Sequence, residues 1–119
     1  MSEDSVFTKI IKRELPATIR YEDDAFIAFD DIHPSAPFDI VIASKEPFAT
    51  LLDIPYERED ILAGLLKTAK KTAKAVGIGE NYRIVMNVGH HMQLIKHVHL
   101  HLMGGWDQKR ILKVREKNI

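Results

Sequence analysis

Three histidines stand at every second position in "KHVHLHLMGG", residues 96–105. Imidazole can ligate a metal, carry a proton or attack an electrophile. In an extended segment successive side chains point to opposite faces. His97, His99 and His101 therefore share one face, and Val98, Leu100 and Leu102 share the other. The apolar set needs a core. The histidine set needs a groove in which the rings stay partly exposed, because each ring carries two polar nitrogens that must find partners. One such histidine is usually a satisfied bystander, whereas three in strict alternation point to a site. Two chemistries fit. Flanking imidazoles could share a zinc with a further ligand from His33, His90 or His91. Alternatively, the middle imidazole attacks while its neighbours hold it and stabilise charge. The spacing alone leaves both open.

The elements that must position this strand are legible along the chain. Val6, Phe7, Ile10 and Ile11 have helical spacing over residues 4–13, with Asp4 or Ser5 as N-cap and Pro16 beyond the end. "TIRYED" and "AFIAFDD", split by the acidic turn Glu22-Asp23-Asp24, read as a hairpin. "IHPSAP" is a proline-punctuated loop, and "FDIVIAS" is a third strand. The longest helix spans about 57–76, where Ile61, Leu62, Leu65, Leu66, Ala69, Ala73 and Val76 form one stripe. Lys67, Lys70, Lys71 and Lys74 on its remaining face read as a solvated surface, and Gly77 and Gly79 end it. "YRIVMNV" and "HVHLHLM" complete five strands. The order α-β-β-β-α-β-β predicts an α+β fold, an antiparallel meander with helices packed on it. Most strand connections are too short for parallel crossovers.

Composition narrows the classes of function. The 119 residues suffice for one domain (1–119), with a core about 5–105 and a basic tail over 106–119. That tail has Lys109, Arg110, Lys113, Arg115 and Lys117 against Asp107 and Glu116. Seventeen basic residues balance seventeen acidic ones, so no global field favours nucleic acid or a membrane surface. There is no cysteine, which excludes disulfides and thiolate metal sites and fits a reducing compartment. The acidic start "MSEDSVF" does not read as a secretion signal, and no apolar run approaches the roughly 18 residues of a membrane span. A soluble, cytoplasmic protein is expected.

The triad, together with "VFTKIIKRELPA", "YEDDAFIAFDDIHPSAP" and "YRIVMNVG", resembles the histidine triad (HIT) family over about residues 5–105. The likeness is to its Hint branch, the purine nucleoside phosphoramidases. It implies a five-stranded antiparallel sheet with two helices, paired with a second chain into a ten-stranded sheet. It further implies a hydrolase that needs no cofactor or metal and acts on a purine nucleoside monophosphate bearing an amine or other leaving group. His99 would be the nucleophile, forming a nucleotidyl-imidazole that water hydrolyses. His101 would bond a non-bridging phosphate oxygen, and His97 would brace the loop before it.

The resemblance also implies the nucleotide site. Asp31 matches a ribose-binding acid, although a loop-capping Asp is the plainer reading. Phe7, Ile10, Phe29, Ile32 and Val41 match residues that sandwich the base, each with ordinary core packing as the alternative. Asn87 matches a phosphate-side asparagine and Gln93 a loop glutamine. The chain departs from the family at four places. Asp39 stands where a histidine is usual, Met92 replaces a glycine, Leu94 replaces a serine that assists the leaving group, and Trp106 precedes an unusual basic tail. The other readings are a Fhit-like dinucleoside polyphosphate hydrolase, a nucleotide-binding regulatory module with weak catalysis, and a zinc site at the triad.

Overall fold

The computed structural model describes residues 4–106. In chain order the elements are helix α1 (Val6–Ile11), strands β1 (Ile19–Glu22), β2 (Phe26–Asp30) and β3 (Phe38–Ser44), helix α2 (Glu59–Ala75), and strands β4 (Tyr82–Val85) and β5 (His99–Gly104). A single 3-10 turn, Leu51–Asp53, precedes α2. All five strands pair antiparallel, as expected. Their order is β1-β2-β3-β5-β4, so the sheet departs from a simple meander after β3. The reason is burial: Leu100 and Leu102 of β5 are fully enclosed, whereas β4 has only exposed and half-buried residues and takes the edge. The basic tail expected over 106–119 lies, apart from Trp106, outside the described residues.

Both helices are closed by local chemistry. Ser5 is the N-cap of α1, its hydroxyl accepting the Thr8 N–H at 3.1 Å. At the other end Glu14 N–H donates to Lys9 O and Arg13 N–H to Ile10 O, with Arg13 in the left-handed region at φ 64°. This is a Schellman closure with arginine where glycine is usual. Helix α2 closes in the same way at Gly77, through Ile78 N–H to Ala73 O. Its buried face differs from the stripe expected from sequence. Gly64, Thr68 and Thr72 are buried with Ile61, Leu65, Ala69 and Ala73, while Leu66 is 53% exposed. The small residues let α2 approach the sheet so closely that a Cβ on Gly64 would overlap the Phe26 ring.

The sheet separates two apolar clusters. One, under α2, includes Phe26, Ile40, Ile42, Leu65, Leu100 and Leu102. The other, under α1, consists of Phe7, Ile10, Ile27, Phe29, Val41 and Ala43. Strand β3 serves both faces and is buried almost throughout. Ala43 pairs with His99 and Val41 with His101, so the histidine face of β5 lies on the α1 side. Burying those apolar side chains contributes roughly 1.5–3 kcal/mol for each large one, and the imidazoles are carried into the same layer. Among the described residues no helix is long and apolar enough to cross a membrane.

Candidate active site

Strand alternation brings the three histidines to one face, but the chain around them treats each differently. His97 lies just before β5 and is 1% exposed, outside the partly open groove expected for it. Its Nε2 donates to the Ser44 carbonyl at 2.7 Å. Its Nδ1 therefore accepts, from Ser5 Oγ at 3.0 Å or Thr8 Oγ1 at 3.3 Å. Both nitrogens are committed, so His97 ties the end of β3 to the N-terminus of α1. It is not among the residues that line the cavity described below. Burial holds its pKa below the ordinary histidine value, with the Ser44 carbonyl opposing.

His99 is 6% exposed and has one nitrogen committed. Its Nδ1–H donates to the His97 carbonyl at 2.7 Å, which fixes the tautomer and leaves the Nε2 lone pair free. The Phe7 ring meets it edge-on at 4.8 Å and the His101 ring at 5.2 Å. Burial lowers its pKa, and the bond to the His97 carbonyl works against that. His99 is thus neutral at pH 7, with a lone pair facing the cavity. It is a buried, oriented imidazole with one nitrogen uncommitted.

His101 is half-buried and faces two carboxylates. Its Nδ1 lies 3.3 Å from Asp39 Oδ1 and 3.6 Å from Asp31 Oδ2. Asp39 Oδ2 accepts the Ser35 N–H at 2.9 Å, and the Asp39 carbonyl accepts the Asp31 N–H at 2.9 Å. Asp31 does cap its loop, Oδ1 accepting the His33 N–H at 2.9 Å, yet its second oxygen reaches towards His101. Asp31, Asp39 and His101 present two oxygens and a nitrogen within 4.8 Å of one another. A three-histidine zinc site at the triad is disfavoured by the commitments of His97, whose lone pair already accepts a hydroxyl.

His99 and His101 open onto a cavity of about 560 Å³, within the usual range for small-molecule sites. Phe29 and Val41 of the sheet, Phe7 and Ile10 of α1, and Asn87 and Gln93 are among the residues that line it. Phe7, Ile10, Phe29 and Val41 are buried core residues that also line the cavity. Ile32 stands on the rim, 82% exposed. Gln93 spends its whole amide on backbone, accepting from Gly89 N–H and donating to Ala49 O and Ile95 O. It shapes the loop and offers the cavity no free polar group. Lys96 Nζ adds bonds to His90 O and Gln93 O. Sequence reasoning missed Ser5 and Thr8 as partners of His97, and Asp39 as a partner of His101. The N-cap spacing of Ser5 and Thr8 was a signal; the Asp39 contact depended on the β3–β5 register.

Comparison with known proteins agrees with this fold. The HIT domain model matches residues 12–108. An uncharacterised HIT-like protein of Synechococcus elongatus is 47% identical over 106 residues, covering 88% of this chain and 93% of the relative. The purine nucleoside phosphoramidase of Escherichia coli is 42% identical over 107 residues, covering 88% and 90%. The solved structure of a HIT family hydrolase from Clostridium thermocellum superposes with a TM-score of 0.83 at 44% identity, covering 91% of this chain and 96% of that one. The chain belongs to the HIT family.

Proposed function

We propose that this protein is a hydrolase of purine nucleoside phosphoramidates, acting through a covalent nucleotidyl–His99 intermediate. The observation that carries the reading is the hydrogen bond from His99 Nδ1 to the His97 carbonyl at 2.7 Å. It leaves Nε2 as a free lone pair at the cavity, the atom an attack on phosphorus requires. The likeness to the phosphoramidase of Escherichia coli supports the substrate class. The base would lie against Phe7, Ile10, Phe29 and Val41, with Ile32 closing the rim, and Asp31 would accept from the ribose hydroxyls. Asn87 and His101 would meet the phosphoryl group, while Gln93 holds the loop over it. Imidazole needs no metal to attack phosphorus, so the reaction proceeds without a divalent cation. One HIT domain acts in each chain, and two chains pair through the β4 edge, in the reducing interior that a cysteine-free sequence suits.

One observation favours a second reading, a nucleotide-binding module with weak catalysis. Met92 and Leu94 stand exposed where the family's glycine and leaving-group serine would be. The His99→Ala variant, assayed with an adenosine phosphoramidate, separates the two. A nucleophile contributes to the transition state far more than to ground-state binding. Turnover should vanish while nucleotide affinity stays within about tenfold. Turnover near wild type in His99→Ala would contradict the covalent mechanism, and nucleotide binding without turnover in the wild type would favour the module.

A further inference from the structure

Leu94, 94% exposed at the cavity mouth, offers no proton where the family resemblance implies a serine. An amine leaving from phosphorus still needs one. Of the groups lining the cavity, the amides of Asn87 and Gln93 are not acids, and Asp30 is held in an ion pair with Arg20. His33 sits on the exposed loop. His101 lies beside the nucleophile, ring to ring at 5.2 Å.

What distinguishes His101 is its partner. Asp39 is 4% exposed, on the β3 face that Val41 and His101 share. One carboxylate oxygen is fixed by the Ser35 N–H at 2.9 Å, and among the described residues the other has only His101 Nδ1, at 3.3 Å. A buried carboxylate requires a donor at such a position, and a backbone amide cannot turn away. Both constraints place the proton of His101 on Nδ1.

We infer that Asp39 is a positioning residue of this site, holding His101 as the Nδ1–H tautomer so that Nε2 faces the cavity and carries the leaving-group proton. The inference rests on the phosphoramidase reading. The protonated ring gives its Nε2 proton to the amine nitrogen as the P–N bond breaks and the bond from His99 Nε2 to phosphorus forms. The neutral ring keeps Nδ1–H on Asp39. It then takes a proton back at Nε2 from the water that displaces His99 from phosphorus. Protons balance over the cycle, and no metal or further co-reactant enters. The logic is that of the carboxylate in a serine hydrolase triad, which orients an imidazole without itself taking the proton.

Asp39→Asn tests this. The carboxamide oxygen must still serve the Ser35 N–H, so its NH2 group faces His101 Nδ1 and selects the opposite tautomer. Nitrogen-15 spectra of histidine-labelled protein without substrate, at a pH high enough for the His101 ring to be neutral, should show its single proton on Nδ1 in the wild type and on Nε2 in Asp39→Asn. With an adenosine phosphoramidate, kcat should fall about 100-fold while KM stays within about threefold, the size of a lost acid–base group. Asp39→His, which installs the residue that the family resemblance implies there and accepts from Nδ1–H, should recover at least about a tenth of the activity. If Asp39→Asn does not fold, the wild-type tautomer and the activity of Asp39→His decide. An Nε2–H tautomer in the wild type, or unchanged kcat in folded Asp39→Asn, overturns the inference. Absence of turnover in the wild type fails the phosphoramidase reading alone, and the tautomer then decides the role of Asp39.

Discussion

At the scale of single residues, three chemically identical side chains are made different by the atoms to which each is tied. His97 has both nitrogens engaged, His99 has one, and His101 faces acid. The alternation that places them on one face was legible in the sequence. Their division of labour was not, because the partners are remote: Ser5 lies 92 residues from His97, and Ser44 lies 53. Asp31 shows the same limit. Its Oδ1 caps the loop while its Oδ2 faces His101, so the cap leaves the second oxygen for the ribose contact proposed above. The depressed pKa values of His97 and His99 have a consequence for stability. In the unfolded chain both rings take protons at about pH 6.5, whereas the folded protein resists protonation. Their contribution is fully present above about pH 6.5 and is lost as pH falls towards the lower folded values, with a limiting slope of about 1.4 kcal/mol per pH unit for each ring. Urea unfolding between pH 7.5 and 5 should show this decline, and His97→Gln should lessen it. Stability that rises on acidification through pH 6 would contradict the burial argument.

At the scale of elements, the sequence located α1, α2 and all five strands but misjudged how α2 turns on the sheet. Hydrophobic periodicity weighs Leu66 above Gly64, yet close approach rewards the smaller side chain. Phe26 fills the space against Gly64, and Leu66 is left outward. Sheet order was hidden for a related reason. Local pattern identifies strands, while the position of β5 between β3 and β4 depends on which strand has more apolar surface to bury. Gly64→Ala isolates the packing effect. Alanine gains about 1 kcal/mol in helix propensity over glycine, but overpacking typically costs about 1–3 kcal/mol. The clash with Phe26 should win, lowering the urea midpoint without altering the m-value. A higher midpoint would mean that the Phe26 ring gives way at little cost.

At the scale of the whole molecule, the sheet is a partition with different work on each side. The α2 side supplies apolar mass, and the α1 side carries the histidines, Asp31, Asp39 and the cavity. Strand β4 leaves an edge with Ile84 partly exposed, which the proposed homodimer would cover. Light scattering at micromolar concentration should give twice the chain mass, and an Ile84→Lys variant should shift it towards the monomer. A monomeric wild type would contradict the pairing. Everything on the α1 side converges on one atom, the free Nε2 of His99. The most direct measurement is intact-protein and peptide mass spectrometry after rapid acid-free quenching of a single turnover with an adenosine phosphoramidate. A transient adenylyl adduct is expected on the peptide containing His99 and should be absent from His99→Ala. Product released at the normal rate with no adduct on His99 at any time would contradict it.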